Sequence, residues 1–298
     1  MSENFIKRNA CPCCGSHSYN VIYSARFTDQ RIWPFLDSFY EGRIPKNKVE
    51  SDDYNIARCN DCDLLFQEYI LTDPNMFLLY EKWISAEKSL AKKKLADIGL
   101  FKSYALEIES ICKFSNKKPH EIRVLEYGMG WGFWSNLAKA YNYDVTGVEI
   151  SKIRVEFARK NGLTVIADIS QEKSNSFDYI YANQVFEHIP DPKESIRELA
   201  RVLEKDGIIH IQVPNGKGVD RDLQDPNWKA RKGPIQPLEH INCFNRNSLK
   251  ILAEQAGLRL RYPLNVHRFT GIKPFLKSHL KYFYDLYGAT QVYMTKAS

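Results

Sequence analysis

Three groups of residues in this sequence have the types and spacing that chemistry requires. Four cysteines form two Cys-x-x-Cys pairs, Cys11 and Cys14 in CPCCG and Cys59 and Cys62 in RCNDCD. Two such pairs can give four thiolates to one tetrahedral Zn2+ ion, with tight turns that aim backbone amides at the sulfurs. Cys13, Cys112 and Cys243 are left over, and a reduced, metal-free turn is the plainer alternative. Gly128, Gly130 and Gly132 follow an apolar run in VLEYGMGWG, with Glu126 before them and Glu149 and Asp168 beyond. Glycine lets backbone approach a ligand closely. A carboxylate about twenty residues after the first glycine can accept hydrogen bonds from both hydroxyls of a ribose. His188, beside Glu187 in FEHIPDP, and His240, in PLEHINCF, are imidazoles able to act as general bases near neutral pH. Each can equally be a partner that only holds its loop.

The glycine triplet alone says little, because GxGxG is not the GxGxxG dinucleotide fingerprint. Its meaning comes from the elements around it. From Glu121 onward strands and helices alternate: IRVLEY, GFWSNLAKAYN, DVTGVEI, SKIRVEFARKNG, LTVIADI, FDYIYANQVF, DPKESIRELARVLEKDG and IIHIQVP. That rhythm predicts an α/β, doubly wound sheet with right-handed crossovers. The glycines then sit where the first strand turns into the first helix. Glu126, Glu149 and Asp168 end three successive strands, Ile150 and Ile169 follow the second and third acids, and Asn183 lies in the fourth strand. Trp131 offers an aromatic wall beside the loop, whereas Phe133 and Trp134 read as helix core. Ser151 is placed to cap the second helix and Asp191 the helix beginning at Pro192.

Residues 1–70 are rich in turns and bracketed by the cysteine pairs, which marks a small N-terminal zinc-binding domain. Residues 71–120 form a helical connector, with Gly99 as its expected break. Residues 121–298 form the sheet domain, interrupted at 214–246 by a proline- and glycine-bearing insert. An insert this long is usually functional, and it reads as a substrate cover with Arg221, Lys229, Arg231 and Lys232 available to phosphate or carboxylate. NSLKILAEQAGL, RLRYPLNV, KPFLKSHLKYFYDLYG and TQVYMTKA then predict helix, strand, helix and closing strand.

The composition, 44% hydrophobic and 26% charged, is that of a soluble globular protein. No apolar run approaches the ~20 residues a membrane helix needs, and MSENFIKRNACPCC has no apolar core of a secretory signal. The expectation is a cytoplasmic protein without membrane insertion. Seven cysteines without such a signal argue against a disulfide framework. The net charge of +6 is mild. Lys92, Lys93 and Lys94 are either a solvated helix face or a grip on a phosphorylated substrate or nucleic acid.

Taken together, VLEYGMGWG, VTGVEIS, ADI, FDYIYANQVFEHIPDP and PLEHINCFNRNSLKILAEQAGL resemble, in order, the motifs of class I S-adenosylmethionine-dependent methyltransferases. The resemblance implies a Rossmann-like seven-stranded sheet whose last strand is antiparallel, with S-adenosylmethionine as methyl donor. It implies that Glu126, Gly128, Gly130, Trp131, Gly132, Glu149, Ile150, Asp168, Ile169 and Asn183 bind the cofactor. A zinc knuckle ahead of such a domain is similar to a bacterial group that includes sugar C-methyltransferases, which also have a Glu-His pair like Glu187–His188. The acceptor it suggests is a small, polar or phosphorylated molecule, a sugar or sugar-linked metabolite, with His240, His188 and Glu187 as catalytic candidates. Methylation of RNA or another macromolecule is the alternative; a non-enzymatic zinc-bearing binding module that keeps the fold is a third.

Overall fold

The computed structural model describes residues 3–115, 117–261 and 289–297. The chain divides into two compact units, neither of them one continuous stretch. The first takes Met1–Ala86, Phe186–Lys193 and Val213–Leu252; the second takes Glu87–Val185, Glu194–Gln212 and Ala253–Ser298.

In chain order the N-terminal elements are β1 (Phe5–Lys7), β2 (Tyr19–Arg26), α1 (Trp33–Phe39), β3 (Asp53–Cys59), β4 (Leu65–Gln67), β5 (Tyr69–Leu71) and α2 (Asp73–Leu78). A π-helical turn, Leu79–Trp83, extends α2. Both α1 and α2 carry a proline in the first turn, where a missing amide costs no helical hydrogen bond. Then come α3 (Ala86–Lys94), α4 (Ile98–Ile111), β6 (Arg123–Tyr127), α5 (Phe133–Ala140), β7 (Asp144–Val148), α6 (Lys152–Lys160), β8 (Thr164–Ile166), β9 (Phe177–Asn183), α7 (Pro192–Val202) and β10 (Leu203–Pro214). The chain continues through α8 (Val219–Leu223), β11 (Asn242–Cys243), α9 (Arg246–Gln255), β12 (Leu258–Arg261) and β13 (Ala289–Lys296). The helix expected over KPFLKSHLKYFYDLYG lies outside the described residues.

Several local expectations shift by a few residues. The connector breaks at Asp97, not Gly99: the Asp97 side chain accepts from the Leu100 amide at 3.2 Å and caps α4, which a glycine has no atom to do. Ser151 occupies the cap position of α6 without a side-chain bond. Its amide is taken instead by Glu149. Leu203, inside the helix expected over DPKESIRELARVLEKDG, begins β10 instead and is buried there.

In the first unit the strands form an antiparallel sheet ordered β11-β4-β3-β2 and a ribbon of β1 with β5. The predicted insert is therefore not a bare loop. It supplies β11, pairing Asn242 with Phe66 and Cys243 with Leu65, and it buries Val219, Trp228 and Leu238 in one core with Phe27, Tyr54 and Ile56.

The second unit is a seven-stranded sheet ordered β12-β13-β10-β9-β6-β7-β8. The strand pairs β6–β7, β7–β8, β6–β9 and β9–β10 are parallel, and β13, the last strand, runs antiparallel to β12. This is the expected α/β architecture. Strand order turns back at β6: β7 and β8 lie to one side, β9 and β10 to the other. Ligands of open α/β sheets bind at such a switch point, outside the carboxyl ends of the strands. The core beneath it holds Val124, Ala138, Tyr179 and Trp134, with Trp134 stacked on Tyr181 at 4.7 Å between centroids.

Candidate functional site

The carboxyl edge of the second unit gathers the residues expected around a nucleoside. Gly128, Gly130 and Gly132 all have positive φ, at 71°, 57° and 71°, a region L side chains adopt at a cost. A Cβ on Gly128 would meet Val185 at 2.6 Å, and one on Gly132 would meet Leu163 at 2.6 Å. At Gly130 nothing lies within 4 Å, so the loop is tight against its own core at two glycines and open at the middle one. Glu126 lies inside β6 and reaches the start of α5, where its Oε2 accepts from the Ser135 amide at 3.1 Å and the Ser135 hydroxyl at 2.6 Å. Burial drives its proton affinity up to about 8, against the two Ser135 bonds, which favour the anion.

Glu149 stands one residue past β7 and is buried. Its Oε1 accepts from the amides of Ile150 at 3.0 Å and Ser151 at 2.9 Å. Arg154 lies 3.9 Å from Oε2. The carboxylate is thus fixed by backbone through one oxygen. Ile150 beside it is 74% exposed, an apolar side chain standing in water. Asp168, two residues past β8, turns on the short helix at Ile169–Gln171 by accepting from the Ser170 amide and hydroxyl. Those bonds, the hydroxyl's first, hold its carboxyl below the usual range. Asn183 ends β9 with a buried Oδ1 that has no hydrogen-bond partner. Trp131 is buried, donates from Nε1 to the Ser89 hydroxyl at 3.1 Å, and meets Phe157 edge-on. Gln184 holds φ 57° directly after Asn183. Sequence reasoning missed it, since only glycine or asparagine there would have signalled a left-handed residue.

In the first unit Cys11, Cys14, Cys59 and Cys62 place their sulfurs within 4.8 Å of one another. Cys11 lies 3.5 Å from Cys62 and Cys14 lies 3.4 Å from Cys59. The amides of Cys13 and Cys14 serve the Cys11 sulfur, and those of Asp61 and Cys62 serve Cys59. Amides aimed at sulfur favour thiolate, the form that binds metal. Cys13 stays apart, its sulfur against the Ser248 carbonyl at 3.2 Å.

The same unit brings Glu187, His188 and His240 together, with one ligand-type atom of each within 4.8 Å of the others. The His188 and His240 rings sit perpendicular at 4.7 Å. His240 Nδ1 lies 2.5 Å from the Gly233 carbonyl. A carbonyl only accepts, so Nδ1 carries the hydrogen and Nε2 of the neutral ring keeps its lone pair. Burial lowers the His240 proton affinity to about 4, against that bond, which raises it. His188 Nδ1 pairs with the Tyr80 hydroxyl at 3.1 Å, and its Nε2 stands 3.9 Å from Glu187 Oε1. Glu187 is fully buried, with neither oxygen hydrogen-bonded. Burial drives it up to about 8.

Sequence reasoning did not find the residues that hold this cluster. Asn242 donates to the carbonyls of Phe186 at 3.1 Å and Ile189 at 2.7 Å, bracketing the Glu187–His188 turn. Arg8 donates to Asn242 Oδ1 at 2.8 Å and to the Ile241 carbonyl at 2.7 Å. Gln67 donates to the His240 carbonyl at 3.0 Å. These partners stand far apart in sequence and share no motif. Leu238, two residues before His240, is buried with φ 72°, an uncommon strain for leucine of the kind that collects at functional sites.

Residues 101–262 match the family model described as a methyltransferase domain. The chain is 32% identical over 185 residues to an uncharacterized protein of Methanocaldococcus jannaschii, covering 56% of this chain and 78% of that one. It is 30% identical over 103 residues to a ubiquinone biosynthesis O-methyltransferase of Xanthomonas oryzae pv. oryzae, covering 31% of this chain and 43% of the relative. The corresponding protein of Bordetella avium is 25% identical over 148 residues, 46% of this chain and 61% of the relative. The chain thus spans about half the length of these O-methyltransferases. Among solved structures, an S-adenosylmethionine-dependent methyltransferase from Aquifex aeolicus aligns with a TM-score of 0.44 at 18% identity, over 71% of this chain and 98% of that one.

Proposed function

The chain belongs to the methyltransferase-domain family, and from that premise we propose that it transfers the methyl group of S-adenosylmethionine to a hydroxyl of a small molecule. The observation that carries this reading is the carboxyl edge of β6, β7, β8 and β9 at the switch point. Three left-handed glycines, two backbone-fixed carboxylates and an unpartnered Asn183 oxygen meet there.

Glu149 has one oxygen committed to backbone, which suits a ribose diol at the other. Gly130 leaves room for a ligand where a side chain would intrude, and Asn183 offers an acceptor to an ammonium group. Asp168, Ile169 and Ile150 suit an adenine, Trp131 a wall beside it, and Gly128 and Gly132 hold the loop's turn. The sulfonium supplies an activated methyl group; the residues supply binding and orientation. Glu187, His188 and His240 are the groups we assign to binding and deprotonating the acceptor hydroxyl. The similarity to O-methyltransferases of ubiquinone biosynthesis supports oxygen on a small molecule as acceptor. A sugar or sugar-linked metabolite remains the class the sequence motifs suggest.

The test is methyl transfer from labelled S-adenosylmethionine to a panel of nucleotide sugars, phenols and RNA. Label on a hydroxyl of a sugar or phenol is the expected result. Label on RNA alone overturns the small-molecule assignment.

Binding should also release protons. The cofactor's cationic groups favour ionised Glu126, whose proton affinity is raised to about 8 by burial. Between pH 6 and 8 the free protein then holds a proton that the complex gives up. Calorimetry in buffers of different ionisation enthalpy should find up to about one proton released per cofactor, fading above pH 9; proton uptake contradicts the assignment.

The four thiolates are assigned to one structural zinc ion. Purified protein should carry about one zinc per chain on these sulfurs. Cys59→Ser should release it and expose the first unit to proteolysis. Protein free of zinc by metal analysis, yet resistant to protease, contradicts this.

A further inference from the structure

Glu187 is a fully buried carboxyl group whose two oxygens find no hydrogen-bond partner. An orphan acceptor of that kind costs stability unless something completes it. The surroundings are unlike those of a core salt bridge. Both neighbouring imidazoles make their outward bonds from Nδ1, His240 to the Gly233 carbonyl and His188 to the Tyr80 hydroxyl. A bond from one ring nitrogen that leaves the other for an ion is how metal-binding histidines are oriented. Asn242 fixes the turn that carries two of the three groups.

We propose that Glu187, His188 and His240 hold a divalent transition-metal ion, distinct from any ion on the cysteines, bound by one carboxylate oxygen and the two Nε2 atoms and open to the acceptor's oxygen. Two imidazoles and one carboxylate suit zinc, cobalt or iron(II) and disfavour magnesium and calcium. Ion binding itself does not depend on the methyltransferase reading; the catalytic consequence rests on it. The three residues then deprotonate an acceptor hydroxyl through the ion they hold, which lowers that hydroxyl's proton affinity and lets the proton pass to solvent.

The probe is Co2+ added to full-length protein stripped of metal and reloaded with a single equivalent of Zn2+, which the four thiolates take first. Zinc outcompetes cobalt on the cysteines, so added cobalt reports other sites. The expected result is one bound equivalent with weak visible absorption and no thiolate charge-transfer band. Two shifted Nδ1–H proton signals should appear, from His188 and His240. Glu187→Gln should weaken cobalt binding at least about tenfold, the scale seen when a metal's immediate support is removed. If that variant does not fold, the wild-type stoichiometry and proton signals still decide the matter. No cobalt uptake, a thiolate band, or undiminished affinity in Glu187→Gln overturns the proposal. S-adenosylmethionine is titrated into the same samples. Cofactor binding without cobalt uptake sinks the ion alone, and cobalt uptake without cofactor binding sinks the methyltransferase reading alone.

Discussion

His240→Ala is expected to lower turnover about 10²–10⁴-fold, the range for losing a group that handles the substrate's proton, while S-adenosylmethionine affinity stays within about twofold. The reason is positional. The ring is buried, its Nδ1 is committed to Gly233, which leaves Nε2 with its lone pair, and the residue groups with Glu187 and His188. The residues assigned to the cofactor belong to the second compact unit, so removal of this imidazole leaves their hydrogen bonds in place. Single-turnover methylation of the identified acceptor measures the rate, and calorimetry on the same variant measures cofactor affinity. A wild-type rate removes His240 from the chemistry. Equal losses of rate and cofactor binding would mean that the substitution disturbs the fold.

Glu149→Ala should weaken S-adenosylmethionine binding by about 1.5–3 kcal/mol, the scale of a charge-assisted hydrogen bond, or roughly 10–150-fold in Kd. The carboxylate is already oriented by the amides of Ile150 and Ser151, so little ordering opposes binding. Glu149→Gln keeps the shape and one acceptor oxygen and should recover part of the loss. Adenosine alone should lose affinity in proportion, because the contact is to its ribose. Unchanged affinity in the alanine variant would place the nucleoside elsewhere.

The sheet was legible because its signals are local. An apolar strand, a glycine turn and an amphipathic helix recur from Glu121 onward, and each acid falls within two residues of a strand end. The four cysteines were legible for the same reason: each pair is one turn. What could not be read was set by long-range pairing. The insert looked like a loop because β11 is two residues long and gains its partner, β4, from residues 65–67. The Glu187–His188–His240 group is closed by Asn242 and Arg8, which no spacing rule connects. Gly99 misled because glycine marks helix ends by backbone freedom, whereas here an aspartate side chain three residues before Leu100 makes the cap.

The central claim is that this edge of the sheet binds S-adenosylmethionine, and the direct measurement is its calorimetric titration into wild-type protein. The account predicts one molecule bound per chain, retained in His240→Ala, weakened in Glu149→Ala, and not displaced by NAD or ATP. A folded protein that takes up no S-adenosylmethionine, or that binds NAD at the same site, contradicts it.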